Sequence, residues 1–173
     1  LSDIDKKIIL YAPTWRDNQY TAGVGYTYKT EVDFDYLREE LGDDYIILFR
    51  AHYLVAHDFD FEKYAGFVYD VSDYDDINDL YLASDLLITD YSSVFFDYSN
   101  LGKPMIFYMY DIEEYRDDIR GFYIDLYELP GPIVLKEKTL VEAVKGIPDD
   151  FKPNAKYEVF RKKYTCFSNL FKC

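Results

Sequence analysis

The segment Leu86-Leu-Ile-Thr-Asp-Tyr-Ser-Ser-Val-Phe-Phe-Asp97 constrains the fold of this chain more than any other stretch. Three apolar residues run into Thr89-Asp90, small polar residues follow, and apolar residues then return at helical spacing. So short an apolar run reads as a buried strand, and the change of period marks a helix start. Ser92 and Ser93 fall at that start, where the first N–H groups lack intrahelical partners. Such an end is a natural seat for an anion, phosphate above all. In an open α/β sheet this junction lies at the carboxyl edge, where ligands bind.

The rest of the chain repeats the alternation. Ile8-Ile-Leu-Tyr-Ala12 reads as a buried strand stopped by Pro13. Residues 18–30, with Gly23 and Gly25, read as a loop. Asp33 to Leu41 forms an amphipathic helix closed by Gly42. Tyr45–Phe49 and Phe67–Tyr69 are further strands, and Ile77–Ala83 a helix. The helix after the opening strand runs from Val94 to Leu101 and ends at Gly102, and Pro104–Tyr108 returns as a strand. An irregular stretch containing Pro130-Gly-Pro132 precedes helices at 139–146 and 155–164. The predicted fold class is α/β, a Rossmann-like parallel sheet with helices on both faces. The acidic tract Asp70 to Asp79 reads as a solvated loop and helix start.

Composition excludes several classes. A length of 173 residues suits one full domain with a substantial core. A net charge of -14 argues against nucleic acid or an anionic membrane as a general partner. It leaves room for a nucleotide ligand, which needs only a few local cations. No apolar run reaches the length of a membrane span, and the first residues are no signal peptide. Cys166 and Cys173 make neither a disulfide framework nor a metal site, and free thiols suit a reducing cytoplasm. The chain lacks an initiator Met and enters a strand almost at once, which reads as an excised domain.

Four clusters follow strands, where a site would assemble. In Ala12-Pro-Thr-Trp-Arg16, Thr14 offers a hydroxyl and Arg16 a forked cation for phosphate. In Phe49-Arg-Ala-His52, Arg50 and His52 alternate on one face of an extended segment. A cation beside an imidazole suits a diphosphate leaving group, since one neutralises and the other donates a proton. Thr89, Asp90, Ser92 and Ser93 supply hydroxyls and a carboxylate around the helix start. Plain helix capping uses the same residue types, so capping and anion binding both stay open there. Arg120-Gly121 places a cation beside a residue that permits close backbone approach. His57 reads as surface. There is no Walker-type loop, and Gly23-x-Gly25 is followed by no helix signal. The site has no carboxylate cage for a tightly bound metal, and no cofactor is expected.

Five motifs in order resemble the CDP-glycerol glycerophosphotransferases, the teichoic-acid primases and polymerases with their CDP-ribitol relatives. They are Tyr11-Ala-Pro-Thr-Trp-Arg16, Arg50-Ala-His52, Thr89 to Asp97, Lys103-Pro-Met-Ile-Phe-Tyr108 and Arg120-Gly-Phe-Tyr123. The resemblance covers about residues 7–147. It implies the C-terminal half of a GT-B glycosyltransferase-like architecture, with 1–173 as a single donor-nucleotide-binding domain. The implied reaction transfers glycerol phosphate or ribitol phosphate from CDP-glycerol or CDP-ribitol to a lipid-linked polymer, releasing CMP. By the same resemblance, the His of the family's Arg-Pro-His motif falls on His52, a catalytic residue expected to contact the donor diphosphate. Ser92 and Ser93 fall on the phosphate-binding helix start, and Arg120 on the family's Arg-Gly element. The family's Arg-Pro-His reads Arg50-Ala-His52 here, which keeps both functional groups. The usual C-terminal Asp-Gly-x-Ala element is replaced by Lys163-Tyr-Thr-Cys-Phe-Ser168.

The resemblance also implies an N-terminal half, absent from this chain, that carries the acceptor site and a second essential His. The chain is therefore expected to bind donor and to turn it over weakly or not at all alone. The full-length protein is expected in the cytoplasm, peripheral at the inner face of the cell membrane. Alternatives are a UDP-sugar glycosyltransferase or epimerase domain, a noncatalytic nucleotide-binding module, and a receiver-like domain. Pro13-Thr14-Trp15 stands against the last, where receivers place acidic metal ligands.

Overall fold

The computed structural model describes residues 5–14, 20–21, 25–26, 32–51, 60–112 and 125–165. Within them six parallel strands form one sheet: β1 (Lys7–Ala12), β4 (Tyr45–Phe49), β5 (Val68–Asp70), β6 (Leu86–Thr89), β7 (Met105–Tyr108) and β8 (Ile133–Val134). Their order is β5-β4-β1-β6-β7-β8. The chain builds outward from β1 on one side, then returns to β1's other side and builds outward again. That reversal is the doubly wound arrangement, and its switch point lies between β1 and β6. A separate antiparallel pair, β2 (Tyr20–Thr21) with β3 (Gly25–Tyr26), stands inside the segment expected to be loop.

Strands β4 and β7, and all but the ends of β1 and β6, are apolar because both faces are covered. Alternate residues go to opposite layers. Ile9 and Tyr11 of β1, Ile47 and Phe49 of β4, Leu86 and Ile88 of β6, and Ile106 and Tyr108 of β7 enter one core. Helices α1 (Phe34–Leu41) and α4 (Glu137–Lys145) close that face with Phe34, Leu37, Leu41, Leu140, Val141 and Val144. Leu10, Leu48, Leu87, Met105 and Phe107 enter the opposite core. There α2 (Ile77–Ala83), α3 (Val94–Tyr98) and α5 (Ala155–Tyr164) supply Leu80, Tyr81, Phe95, Tyr98, Tyr157 and Phe160. Fully burying one such aromatic or aliphatic side chain is worth roughly 1.5–3 kcal/mol, so the two layers dominate stability.

Part of the acidic surplus caps helices. Asp33 accepts from the N–H groups of Asp35 and Tyr36 at 2.9 and 3.1 Å, Asp76 from Asn78 at 2.8 Å. Asn154 does the same for α5 through Tyr157 N–H at 2.9 Å. Each cap satisfies an otherwise orphan donor and is worth about 1 kcal/mol. Gly42 does close α1, but in the right-handed conformation at φ -64°. The helix expected over 94–101 divides into α3 and a 3₁₀ turn at Ser99–Leu101, ending on Gly102 at φ 65°. Strand β5 begins one residue later than expected, and β8 lies in the stretch expected to be irregular.

At the amino edge, Lys103 Nζ donates to the carbonyls of Tyr81, Leu82 and Ser84 at 3.1, 2.8 and 2.6 Å. Those are carbonyls that the end of α2 leaves unpaired, where a cation also meets the negative end of the helix dipole. Burial nevertheless holds the Lys103 ammonium below its ordinary pKa. Tyr157 donates its hydroxyl to the Lys103 carbonyl at 2.8 Å, which ties α5 to the same junction.

Gly102 and Gly131 are among the described glycines that geometry requires. Gly102 has a left-handed backbone, and a Cβ at Gly131 would stand 2.0 Å from the Met105 carbonyl oxygen. Gly102→Ala is expected to destabilise the fold by about 1–2 kcal/mol. Gly131→Ala must displace the backbone of β7 and is expected to cost about 3 kcal/mol, at the upper end for overpacking. Urea denaturation of both variants checks the order.

Candidate functional site

The carboxyl ends of β1 and β6 lie side by side, with Ala12 opposite Thr89 in the register. Sheet pairing stops there. The Thr89 hydroxyl donates to the Ala12 carbonyl at 2.7 Å and is fully buried. One residue on, Asp90 is 2% exposed. Its Oδ1 accepts from the Thr14 N–H at 2.8 Å, the Thr14 hydroxyl at 2.6 Å and the Tyr91 N–H at 2.6 Å. Bonds to an ionised acceptor are about twice as strong as neutral ones, and burial removes competing water. The turn after β1 is thereby fastened to the turn after β6.

A second fastening joins β4 to β5. Arg50 Nη1 donates to the carbonyls of Val71 and Tyr74 at 3.0 and 2.8 Å. The Ala51 N–H donates to Ser72 Oγ at 3.0 Å, and that hydroxyl donates to Asp70 Oδ1 at 2.6 Å. Asp70 also accepts from the Ser72 N–H at 3.0 Å, closing an Asx turn. Asp70 and Asp76 thus serve as a loop knot and a helix cap, as the reading of the acidic tract as loop and helix start requires.

The residues expected to hold a ligand separate into three groups. Thr89, Asp90 and Arg50 put hydrogen-bonding groups into the fold itself, and Thr14 bonds to Asp90. Ser92 and Ser93 follow Asp90 in the turn after β6, Ser92 half-buried and Ser93 exposed. Ser93 precedes α3 with φ -64° and ψ -7°, and its side chain makes no capping bond. Capping does not therefore consume that hydroxyl. Arg16, His52, Arg120 and Gly121 lie outside the described residues.

Two contributors escaped the sequence reading. Tyr91 donates its hydroxyl to Asp111 Oδ1 at 3.2 Å, linking the turn after β6 to the segment after β7. Ser72 supplies the hydroxyl that joins Ala51 to Asp70. A serine two residues beyond an aspartate signals an Asx turn, but nothing local signals its pairing with Ala51. Among the described residues no group of three or more His, Cys, Asp or Glu could hold a metal. No described helix is long and apolar enough to cross a membrane.

Thr89→Val keeps the shape of a buried residue while removing its bond to the Ala12 carbonyl. It is expected to lower stability by about 1 kcal/mol without changing the m value in urea, since one buried bond is lost and no surface is added.

Residues 2–169 match the family model described as CDP-Glycerol:Poly(glycerophosphate) glycerophosphotransferase. The chain is 52% identical over 162 residues to the teichoic acid poly(glycerol phosphate) polymerase of Bacillus subtilis (strain 168), covering 92% of this chain and 22% of that protein. It is 52% identical over 147 residues to the teichoic acid glycerol-phosphate transferase of Staphylococcus aureus (strain NCTC 8325 / PS 47), covering 84% and 37%. Identity falls to 44% over 144 residues for the teichoic acid poly(ribitol-phosphate) polymerase of Bacillus spizizenii, with 82% and 23% covered. Among solved structures, a histidine-to-asparagine variant of the wall teichoic acid polymerase TagF superposes with a TM-score of 0.82 at 43% identity, over 95% of this chain and 40% of that one. The same variant soaked with CDPG gives a TM-score of 0.80 at 42% identity, over 93% and 39%. The chain thus spans between a fifth and two fifths of the length of these relatives. The parallel sheet covered on both faces agrees with the expected fold class, and TagF is GT-B-like. By the family match over nearly its whole length, and by its identity to these enzymes, this chain belongs to the CDP-glycerol:poly(glycerophosphate) glycerophosphotransferase family.

Proposed function

We propose that this chain is the donor-binding domain of an enzyme that transfers glycerol phosphate from CDP-glycerol to a poly(glycerol phosphate) acceptor, releasing CMP. The observation that carries this reading is the switch point between β1 and β6, where Thr14 bonds to Asp90 and the half-buried Ser92 and the exposed Ser93, whose side chain makes no capping bond, follow. Identity of 52% to a poly(glycerol phosphate) polymerase against 44% to a poly(ribitol-phosphate) polymerase favours CDP-glycerol over CDP-ribitol, while a glycerol-phosphate primase stands at 34%.

In this reading the donor diphosphate sits over the Ser92-Ser93 turn, with Arg16 and Arg120 as its cationic partners. His52 is the catalytic residue on the diphosphate. The acceptor hydroxyl attacks the phosphorus that bears the glycerol, and the bond from that phosphorus to the bridging oxygen breaks. CMP leaves with the electron pair, and its developing charge is what the site must stabilise in the transition state. A protonated imidazole at position 52 can neutralise or protonate the leaving phosphate. The whole of 1–173 acts as one donor domain, while the acceptor, lipid-linked in this reading, is held by a further domain. The full-length enzyme then works at the inner face of the cell membrane as a peripheral protein.

Calorimetric titration with CDP-glycerol, CDP-ribitol and a UDP-sugar tests the assignment. CDP-glycerol is expected to bind in preference to the other two. His52→Ala is expected to weaken it by roughly 10–100-fold, the equivalent of losing one hydrogen bond to a charged group. Preference for the UDP-sugar, or a titration unchanged by His52→Ala, removes this reading.

A further inference from the structure

We propose that Asp90 is a positioning residue that holds the turn after β1 in register with the turn after β6. The sheet ladder joins these strands only as far as Ala12 and Thr89. Beyond that pair, repeated backbone pairing no longer holds the two segments together. Among the described residues, one carboxylate oxygen bridges them there. Asp90 Oδ1 takes both donors of Thr14, N–H and hydroxyl, together with the N–H of Tyr91.

Both donors of Thr14 point at that one oxygen, so its backbone and its side chain are oriented together. The Tyr91 bond fixes the carboxylate against its own turn, so the Asp90 side chain has little freedom to follow a moving Thr14. Asp90 is 2% exposed, and a buried carboxylate is held in place by its donors, because losing them leaves a desolvated charge unpaired. Thr14 stands two residues before Arg16 in the sequence, and Asp90 two before Ser92. One oxygen therefore registers the turn that leads to the cation against the turn that carries the serines. Asp90 serves the ligand through Thr14. This deepens the donor-binding reading, and rests on it for the nature of the ligand.

Two measurements on the chain test the proposal, one without ligand. Hydrogen exchange is followed by mass spectrometry for Asp90→Ala, Asp90→Asn and Thr14→Val. Asp90→Ala is expected to speed exchange in peptides spanning 12–14 and 89–92 together, by about tenfold or more, because one acceptor protects both amides. Asp90→Asn keeps an acceptor oxygen in place and is expected to accelerate both far less. It also serves as the readable variant if the alanine form does not fold. Acceleration confined to 89–92 overturns the clamp, as does no change in either peptide.

Titration with CDP-glycerol then separates positioning from contact. Asp90→Ala is expected to weaken binding about tenfold or more, with Asp90→Asn closer to wild type. Adding Thr14→Val to Asp90→Ala is expected to cost little further, since residues acting in one unit are not additive. An asparagine as damaging as alanine, with fully additive losses, shows direct ligand contact and overturns the positioning role. If the unsubstituted chain binds no CDP-glycerol, the donor reading fails while the exchange data still decide the clamp.

Discussion

Burial of β1, β4, β6 and β7 on both faces is the constraint from which the rest of this structure follows. A strand covered on both sides can hold almost no polar side chain, so the chemistry of the chain is driven to the strand ends. The exceptions prove costly enough to be satisfied at once: Thr89 is fully buried and returns its hydroxyl to the neighbouring strand. Function then collects at one edge because parallel strands bring all their carboxyl ends together. The opposite edge is given over to joining elements, as the three carbonyl bonds of Lys103 illustrate.

At the carboxyl edge the structure spends charge on architecture before chemistry. Asp90 fastens the turns after β1 and β6, and Arg50 fastens the exit of β4 to the segment beyond β5. Each fastening bridges two turns that the sheet ladder has ceased to hold. Under the proposed donor-binding function, a phosphate site of hydroxyls and backbone N–H groups needs this rigidity, because such donors act only when already aimed at the charge. The chain carries a net charge of -14, and capping draws several of its carboxylates back onto the backbone.

Legibility in the sequence followed the range of the interactions. Strand and helix alternation and the ends of α2 and α5 rest on contacts within a few residues and were readable, whereas Asp33, read as the first residue of the helix, is its N-cap. Strand β8 was not, since two residues between Pro132 and Leu135 form a strand only because β7 offers its edge. The pair of β2 and β3 was missed for a similar reason, being too short for any periodicity. Among the candidate residues, Ser92 and Ser93 were read from the strand-to-helix change of period. Arg50, Thr89 and Asp90 were read as polar residues at strand ends, but Val71, Tyr74, Ala12 and Thr14, to which they bond, lie 21 to 77 positions away, beyond any local pattern.

The sequence by itself determined the two periodicities, hence a parallel sheet buried on both faces, and it determined which edge would carry polar groups. It also carried the family, through five motifs in order. Tertiary structure alone decided that β1 and β6 are neighbours, so that the turns after them meet. It alone decided that Asp90 meets Thr14 while the Ser93 side chain makes no capping bond. The physical reason is that a carboxylate, a hydroxyl and a guanidinium each have several possible partners of equal chemical merit. Strand order, which is set by packing over the whole chain, determines which of those partners comes within 3 Å.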